Sequence, residues 1–189
     1  LTAGRYHFDF TMAFDREVPL LPVFVWFYIL AFPFWAVGYL LAARRGKDMF
    51  YRFVATDLTI HFICFICFIL IPTTNIRPEI PGNTLSEKIL ALVYSLDGGN
   101  SPYNLFPSIH CYVSWMCWKG VEGSEKVPKW YQRFSLVFAI LIIISTQVLK
   151  QHYIVDAAAA LLLVEFFWRF YQKGQRHKWV VHVFAHKKK

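Results

Sequence analysis

Cysteine is scarce in this chain of 189 residues, and its placement excludes several classes of protein. There are four cysteines, and Cys64 and Cys67 form a C-x-x-C pair inside an unbroken apolar run. Such a pair is typical of small side chains in a bilayer helix, so we predict no disulfide framework and no zinc or redox pair. The sequence also lacks internal repeats and low-complexity segments. We therefore expect a single domain over residues 1–189.

Charge is also scarce, whereas apolar side chains are abundant. Charged residues make up 17% of the chain and hydrophobic residues 57%, and the mean hydropathy is +0.38. A soluble domain usually contains about 45–50% apolar residues, so the excess indicates a membrane protein. The net charge of +8 lies in short basic clusters between apolar runs, a pattern typical of cytoplasmic loops. We therefore predict the lipid bilayer as a partner, and no nucleic acid.

Five apolar segments predict an all-α, polytopic membrane helical bundle. They cover residues 20–43, 50–71, 109–121, 134–149 and 154–171. A bilayer core takes about 20 helical residues, so the shorter segments span only if their polar ends lie against other helices. No cleavable signal peptide is visible, and Leu1 is not an initiator methionine. The expected count is five transmembrane helices, or six if another span precedes Leu1.

The loops predict how this bundle is oriented. With five alternating spans, the basic clusters after the first span, around the third connection and after the fifth span all fall on one side. The positive-inside rule makes that side cytoplasmic. The opposite, extracytoplasmic side carries the turn-rich loop 72–107, within which residues 85–96 are expected to form a short amphipathic helix at the interface.

Three polar clusters lie at span ends on the extracytoplasmic side: residues 75–78, 106–110 and 145–156. His152 and Asp156 are four residues apart, which places them on one helix face. A carboxylate there can hold one imidazole nitrogen protonated and leave the other free to attack. Thr146 and Lys150 are also four apart, so helical spacing directs Lys150 toward the same pocket.

The second cluster has the features of a helix start that binds an anion. Pro107 suits the first turn of a helix, and Ser108 and His110 follow it. Unpaired backbone N–H groups at a helix N-terminus favour a bound anion. His110 is a candidate general acid, because imidazole changes its protonation near neutrality.

These residues resemble the type 2 phosphatidate phosphatase superfamily, whose pattern is Lys-x6-Arg-Pro, then Pro-Ser-Gly-His, then Ser-Arg-x5-His-x3-Asp. The resemblance covers most of the chain. The matching residues, in motif order, are Arg77 and Pro78, then Pro107, Ser108 and His110, then Ser145, His152 and Asp156.

Three positions depart from that pattern. Leu70 stands where the first motif has lysine, Ile109 replaces the glycine of the second motif, and Thr146 replaces the arginine of the third. Ile109 and the His-Tyr-x-x-Asp ending look more like the inositol phosphorylceramide synthase and sphingomyelin synthase branch. We hypothesise that Lys150 supplies the cation that is lost at Thr146.

The resemblance implies a reaction without metal or cofactor. His152 attacks phosphorus to form a phosphohistidine, Asp156 holds its tautomer, and His110 protonates the leaving oxygen. Phosphate-binding roles fall to Arg77, Ser108 and Lys150. The expected substrate is a phospholipid or an isoprenoid phosphate.

Hydrolysis of the phosphohistidine intermediate by water makes a membrane lipid phosphatase, acting on a lipid phosphomonoester or diphosphate, the leading prediction. Two other functions stay open. A lipid hydroxyl in place of water would make the protein a phosphotransferase. A small transporter would use the acids inside the spans, Asp57 and Glu165. However, Asp57 can pair with Arg52, and Glu165 with Arg169 four residues on. We interpret the aromatic excess, Trp35 included, as interfacial belt and helix packing.

Overall fold

Helices carry most of the chain in the computed structural model, which describes residues 6–99 and 102–185. No β-strand occurs in these two ranges, which contain only the isolated bridges Phe8–Thr73 and Thr74–Tyr103. The all-α prediction is therefore confirmed. In chain order the helices are α1 Ala13–Glu17, α2 Val25–Ala43, α3 Lys47–Leu70, α4 Leu85–Leu96, α5 Ile109–Val121, α6 Lys129–Val148, α7 Ile154–Gln172 and α8 Lys178–Ala185, with a 3₁₀ turn Pro22–Phe24 before α2.

Three of the described helical segments are long and apolar enough to cross a membrane, judged by length and composition. They are Pro22–Ala43, Lys47–Leu70 and Lys129–Val148. Many apolar side chains on the outer faces of these helices are exposed, as expected for surfaces that face lipid. Helix α5 has only 13 residues. Helix α7 is continuous, but charged side chains interrupt its apolar sequence. The count of five spans therefore stays a prediction.

Helix α5 lies at the centre of the bundle. It packs most extensively against α6 and α2, and also against α7. Its residues are mostly buried, including the large side chains of Tyr112 and Met116. Because other helices surround α5, most of its side chains pack against neighbouring helices.

Close packing between α2 and α5 depends on Gly38. A Cβ atom at this position would lie 2.6 Å from Cys117 Sγ and 2.7 Å from Cys117 Cβ. Small residues at such crossings allow membrane helices to approach each other closely. The absence of a side chain at Gly38 therefore sets the distance between the two helices.

We expect Gly38→Ala to destabilise the bundle by about 1–3 kcal/mol, because the added methyl group overpacks a close contact. The measurement is the thermal unfolding midpoint in detergent. The double variant Gly38→Ala/Cys117→Gly removes Cys117 Sγ and Cβ, the two atoms nearest to the new methyl group. Its unfolding midpoint should be higher than the value obtained by adding the two single effects. Additive effects would contradict this account of the contact.

Polar side chains inside the bundle pair across helices. Tyr39 of α2 donates a hydrogen bond of 2.7 Å to Asp57 of α3. Arg52 instead forms an ion pair of 2.8 Å with Asp48, so the pairing of Asp57 with Arg52 inferred from the sequence is wrong. Glu165 does lie 3.4 Å from Arg169, as expected, and it also lies 3.0 Å from Lys119.

The amphipathic helix α4 has the bounds that the sequence predicts and is fixed at both ends. At its start, Thr84 Oγ1 accepts a hydrogen bond from the Glu87 amide, and the Glu87 carboxylate accepts one from the Thr84 amide. Near its end, the Tyr94 hydroxyl donates to the Leu149 carbonyl at 2.7 Å. The loop segment that contains α4 is therefore tied to the end of α6.

The segment before α5 is held by Thr73. Its hydroxyl oxygen accepts hydrogen bonds from the amides of Leu105 (2.9 Å) and Phe106 (3.0 Å). Asn75 Nδ2 donates to the Lys150 carbonyl at 3.0 Å. These contacts position the starts of α5 and α7 relative to each other.

Candidate active site

A cavity of about 270 Å³ opens at the end of the bundle where α5 and α7 begin. It holds both histidines of the predicted pair, and its remaining lining is mainly aromatic. The residues that line it are Tyr28, Phe32, Trp35, Phe68, Asp97, Tyr103, Asn104, Leu105, Ile109, His110 and His152.

His152 is buried immediately before α7 and faces Asp156. Its Nδ1 lies 3.5 Å from Asp156 Oδ2, which is an ion-pair distance, and it forms no hydrogen bond with a described residue. Catalytic contacts of this kind often tighten when substrate binds. The same carboxylate accepts a hydrogen bond of 2.9 Å from the Tyr153 amide. Asp156 therefore caps α7 and stands behind His152 Nδ1, which leaves Nε2 as the imidazole nitrogen remote from the carboxylate.

His110 is surrounded by aromatic rings. Its imidazole stacks on Tyr28 with a centroid distance of 4.3 Å, and Trp35 lies 5.1 Å away. The ring of His152 lies 6.0 Å from it. Nε2 of His110 is buried without a hydrogen-bond partner in the described part of the chain. The ring is thus held in place by stacking, and one of its nitrogens is unpaired.

Ser108 joins the starts of the two helices that carry the histidines. It is the N-cap residue of α5, and its hydroxyl oxygen accepts a hydrogen bond of 3.3 Å from the Cys111 amide. Its own amide donates to the Asp156 carbonyl at 3.3 Å. The N-terminus of α5 therefore lies directly beside the His152–Asp156 pair.

Arg77 lies behind the cavity wall, and its guanidinium is fully buried. It donates to the Asp97 carboxylate at 2.6 Å, to the backbone carbonyls of Asp97 and Gly99, and to Gln151 Oε1. Asp97 lines the cavity and Arg77 does not, so Asp97 connects the buried guanidinium to the cavity lining.

The structure overturns the helical argument for Lys150. Helix α6 ends at Val148, and Lys150 adopts a left-handed backbone with φ of 52°, so Thr146 and Lys150 do not share a helix face. The Lys150 ammonium donates to the carbonyls of Asp15 (2.6 Å) and Val18 (2.5 Å). It therefore holds the N-terminal segment and does not line the histidine cavity.

Replacing Lys150 should consequently affect stability more than catalysis. In Lys150→Asn, the new side chain tolerates the left-handed backbone but is too short to reach both carbonyls. We expect a loss of about 1–3 kcal/mol in unfolding free energy and an unchanged KM for a phosphorylated substrate. Arg77→Gln, measured alongside, should raise KM. A higher KM in the Lys150 variant would restore its assignment to phosphate binding.

Several residues at this site were not predicted from the sequence, among them Tyr28, Asp97 and Gln151. Tyr28, Phe32 and Trp35 are spaced four and three apart, which places them on one face of α2, and that spacing was an available signal. Trp35 was assigned to belt and packing, whereas it lines the cavity and also donates to Ser114 at 2.9 Å. Asp97 and Gln151 carry no comparable pattern.

No group of three or more histidine, cysteine, aspartate or glutamate side chains able to hold a metal ion was found among residues 6–99 and 102–185. The described residues place two imidazoles in the cavity, the carboxylates of Asp97 and Asp156 at or beside it, and the backbone at the start of α5 next to it.

The fold and the cavity define an all-helical membrane protein with a histidine pair at one end of its bundle. A family model described as the PAP2 superfamily matches residues 4–169. The chain therefore belongs to the PAP2 superfamily, as its motifs predicted, and membership supports a phosphatase or phosphotransferase type of activity. Searches of curated proteins and of solved structures gave no match. The resemblance to the phosphorylceramide and sphingomyelin synthase branch stays a prediction.

Proposed function

We propose that the protein is a membrane lipid phosphatase that acts through a phosphohistidine at His152. The observation that carries this proposal is the arrangement of His110 and His152 in one cavity, with ring centroids 6.0 Å apart and Asp156 behind His152. In this proposal one imidazole acts as the nucleophile, and the other exchanges a proton with a substrate oxygen.

In the first step, His152 Nε2 attacks the phosphorus atom of the lipid phosphate. A nitrogen–phosphorus bond forms while the bond from phosphorus to the lipid oxygen breaks. His110 donates its proton to that oxygen, so the dephosphorylated lipid leaves as a neutral alcohol. The Asp156 carboxylate stabilises the positive charge that develops on the His152 ring.

In the second step, water attacks the same phosphorus atom. His110, now neutral, accepts a proton from this water as the nitrogen–phosphorus bond breaks. Inorganic phosphate leaves, and both histidines return to their starting protonation states. A diphosphate substrate would instead release a lipid monophosphate in the first step.

The non-bridging oxygens would be held at the start of α5. The Ser108 hydroxyl and the amides of Ile109 and His110 would supply donors there, whereas the Cys111 amide already donates to Ser108. Arg77 would contribute once the phosphate displaces the Asp97 carboxylate from its guanidinium, an exchange of one anion for another. No metal or cofactor is assigned a step.

The proposed substrate is a lipid phosphomonoester or diphosphate, from phospholipid or isoprenoid lipids. The aromatic walls formed by Tyr28, Phe32 and Trp35 offer an apolar surface to the lipid next to the phosphate. Because the basic loops are expected to be cytoplasmic, the cavity would open on the extracytoplasmic side of a multi-pass protein.

A phosphotransferase is the second candidate, favoured by Ile109. This residue replaces the motif glycine and lines the cavity, where its bulky apolar side chain leaves less room for water. A lipid hydroxyl would then attack the phosphohistidine in place of water. Donor cleavage would share the first step, so the two functions differ only in the acceptor.

The test is to offer the detergent-purified protein phosphatidate, lysophosphatidate and an isoprenyl diphosphate in the presence of a chelator, and to measure inorganic phosphate. His152→Ala is the blank. Phosphate release that disappears in this variant supports the phosphatase. Absence of release, together with transfer from a phospholipid donor to a hydroxyl-bearing lipid, would support the transferase. The absence of both phosphate release and transfer would contradict both proposals.

A further inference from the structure

A groove runs along the outer face of α7 and shares no lining residue with the histidine cavity. It consists of two adjoining cavities of about 390 Å³ and 400 Å³. Both are lined by Leu162 and Phe166, whose side chains are 71% and 62% exposed. The two cavities therefore adjoin along α7, and together they form the groove.

The half of the groove nearer the start of α7 is apolar. None of its lining side chains carries a charge. Besides the two shared residues, they are Ile63, Cys67, Phe106, Pro107, Ala159 and Leu163. From Ala159 to Arg169 the helix advances ten residues, or about 15 Å at 1.5 Å per residue. This distance is half of a hydrocarbon core of about 30 Å, so the apolar half has the depth of one leaflet.

The other half of the groove is basic. Arg169, Lys173 and Arg176 line it, and all three are exposed. The Arg176 guanidinium lies 4.2 Å from the centre of the Phe170 ring, which holds it against the groove. No ion pair within the described ranges engages Lys173 or Arg176.

One acid, Glu165, also lines the basic half, but its charge is already compensated. Its carboxylate lies 3.0 Å from Lys119 Nζ and accepts a hydrogen bond of 2.9 Å from Trp115 Nε1. Arg169 lies 3.4 Å from its second oxygen. The groove therefore presents a net positive charge at one end and only apolar side chains at the other.

We propose that this groove binds one anionic phospholipid. Its phosphate would lie among Arg169, Lys173 and Arg176, and an acyl chain would lie along Leu162 and Phe166. Guanidinium groups match phosphate oxygens in geometry and in charge, and basic pockets at the ends of membrane helices suit anionic headgroups. His152 and Asp156 stand at the opposite end of α7, so this lipid belongs to the other leaflet and is not the proposed substrate.

Native mass spectrometry of the detergent-purified protein with dioleoyl phosphatidylglycerol tests the proposal. Each basic side chain contributes about a fivefold effect near an anionic surface, so Arg169→Gln/Lys173→Gln/Arg176→Gln should weaken binding by about a hundredfold. Phosphatidylcholine, which carries a phosphate but no net charge, should bind more weakly than phosphatidylglycerol to the unaltered protein.

The matched control is Lys126→Gln/Lys129→Gln/Arg133→Gln. These three side chains are also exposed and do not line the groove. The control variant therefore removes three positive charges, as the test variant does, but at another place. It should retain the lipid as the unaltered protein does. Equal losses of binding in the two triple variants would show that the effect depends on the total charge of the protein and not on the groove. Equal binding of phosphatidylglycerol and phosphatidylcholine would show that the charge of the lipid does not matter. Either result overturns the proposal.

A second variant tests the apolar half independently. Ala159→Phe places a ring in the groove without altering charge. Binding of dioleoyl phosphatidylglycerol should fall several-fold, while dihexanoyl phosphatidylglycerol, whose chains are too short to reach position 159, should bind as before. Unchanged binding of the long-chain lipid would overturn the placement of the acyl chain. None of these measurements requires enzymatic activity, so their outcome is independent of the proposed function.

Discussion

Replacing His152 with alanine should reduce phosphate release by about 10⁴-fold or more, because the proposed reaction loses its nucleophile. The labelled intermediate should be lost with it. Protein mixed with a radiolabelled lipid phosphate and quenched within a turnover should retain acid-labile label in the unaltered form, and none in His152→Ala. Removal of the attacking nitrogen eliminates the covalent step, so both readouts should change together.

The matched control is His61→Ala, since His61 lies on α3 beside Asp57 and does not line the cavity. It should retain both turnover and label. Trapped label that persists in His152→Ala would place the covalent bond on another residue. A His61 variant as inactive as the His152 variant would indicate that loss of any bundle histidine disrupts the fold.

Replacing His110 with alanine should reduce the rate of lipid phosphate hydrolysis by about 10²–10⁴-fold. A lipid alcohol is a poor leaving group, because its oxygen needs a proton as the bond to phosphorus breaks. An aryl phosphate leaves as a stable phenolate and needs this proton far less. The defect in kcat/KM should therefore be much smaller for an aryl phosphate than for an alkyl phosphate.

Two controls make this result specific. Phosphohistidine should still form in His110→Ala with the aryl substrate, because His152 and Asp156 are intact. Tyr28→Phe keeps the ring that stacks on His110 and should leave the leaving-group dependence unchanged. Equal defects for alkyl and aryl phosphates would show that His110 positions the substrate and does not protonate the leaving oxygen.

Helix type and location were well predicted by apolar segments. The segments 85–96 and 109–121 coincide with α4 and α5, and 154–171 ends one residue before α7 does. The first segment was expected from residue 20, but α2 begins at Val25 because a 3₁₀ turn precedes it. Helix α6 begins at Lys129, before the predicted start at 134, because its first turn is polar and hydropathy does not register it.

The arrangement of the candidate site was only partly predictable. The spacing of four between His152 and Asp156 predicted their proximity, but His152 lies before α7, which begins at Ile154. The contact therefore crosses the start of the helix and is not made along one helix face. The same spacing failed for Lys150, since the argument assumed that α6 continued past Val148. The partners of Arg77 lie on a loop and on the segment before α7, and no local rule relates those positions.

The sequence by itself determined the family, the helical class and the order of the motif residues, because hydropathy and motif spacing are properties of short stretches of chain. Only the tertiary structure decided that Asp97 covers Arg77, that Tyr28 stacks on His110, and that Lys150 binds the N-terminal segment. These contacts join residues 20 to 135 positions apart. They depend on how the helices pack, and packing is set by many weak contacts together and not by any one stretch of sequence.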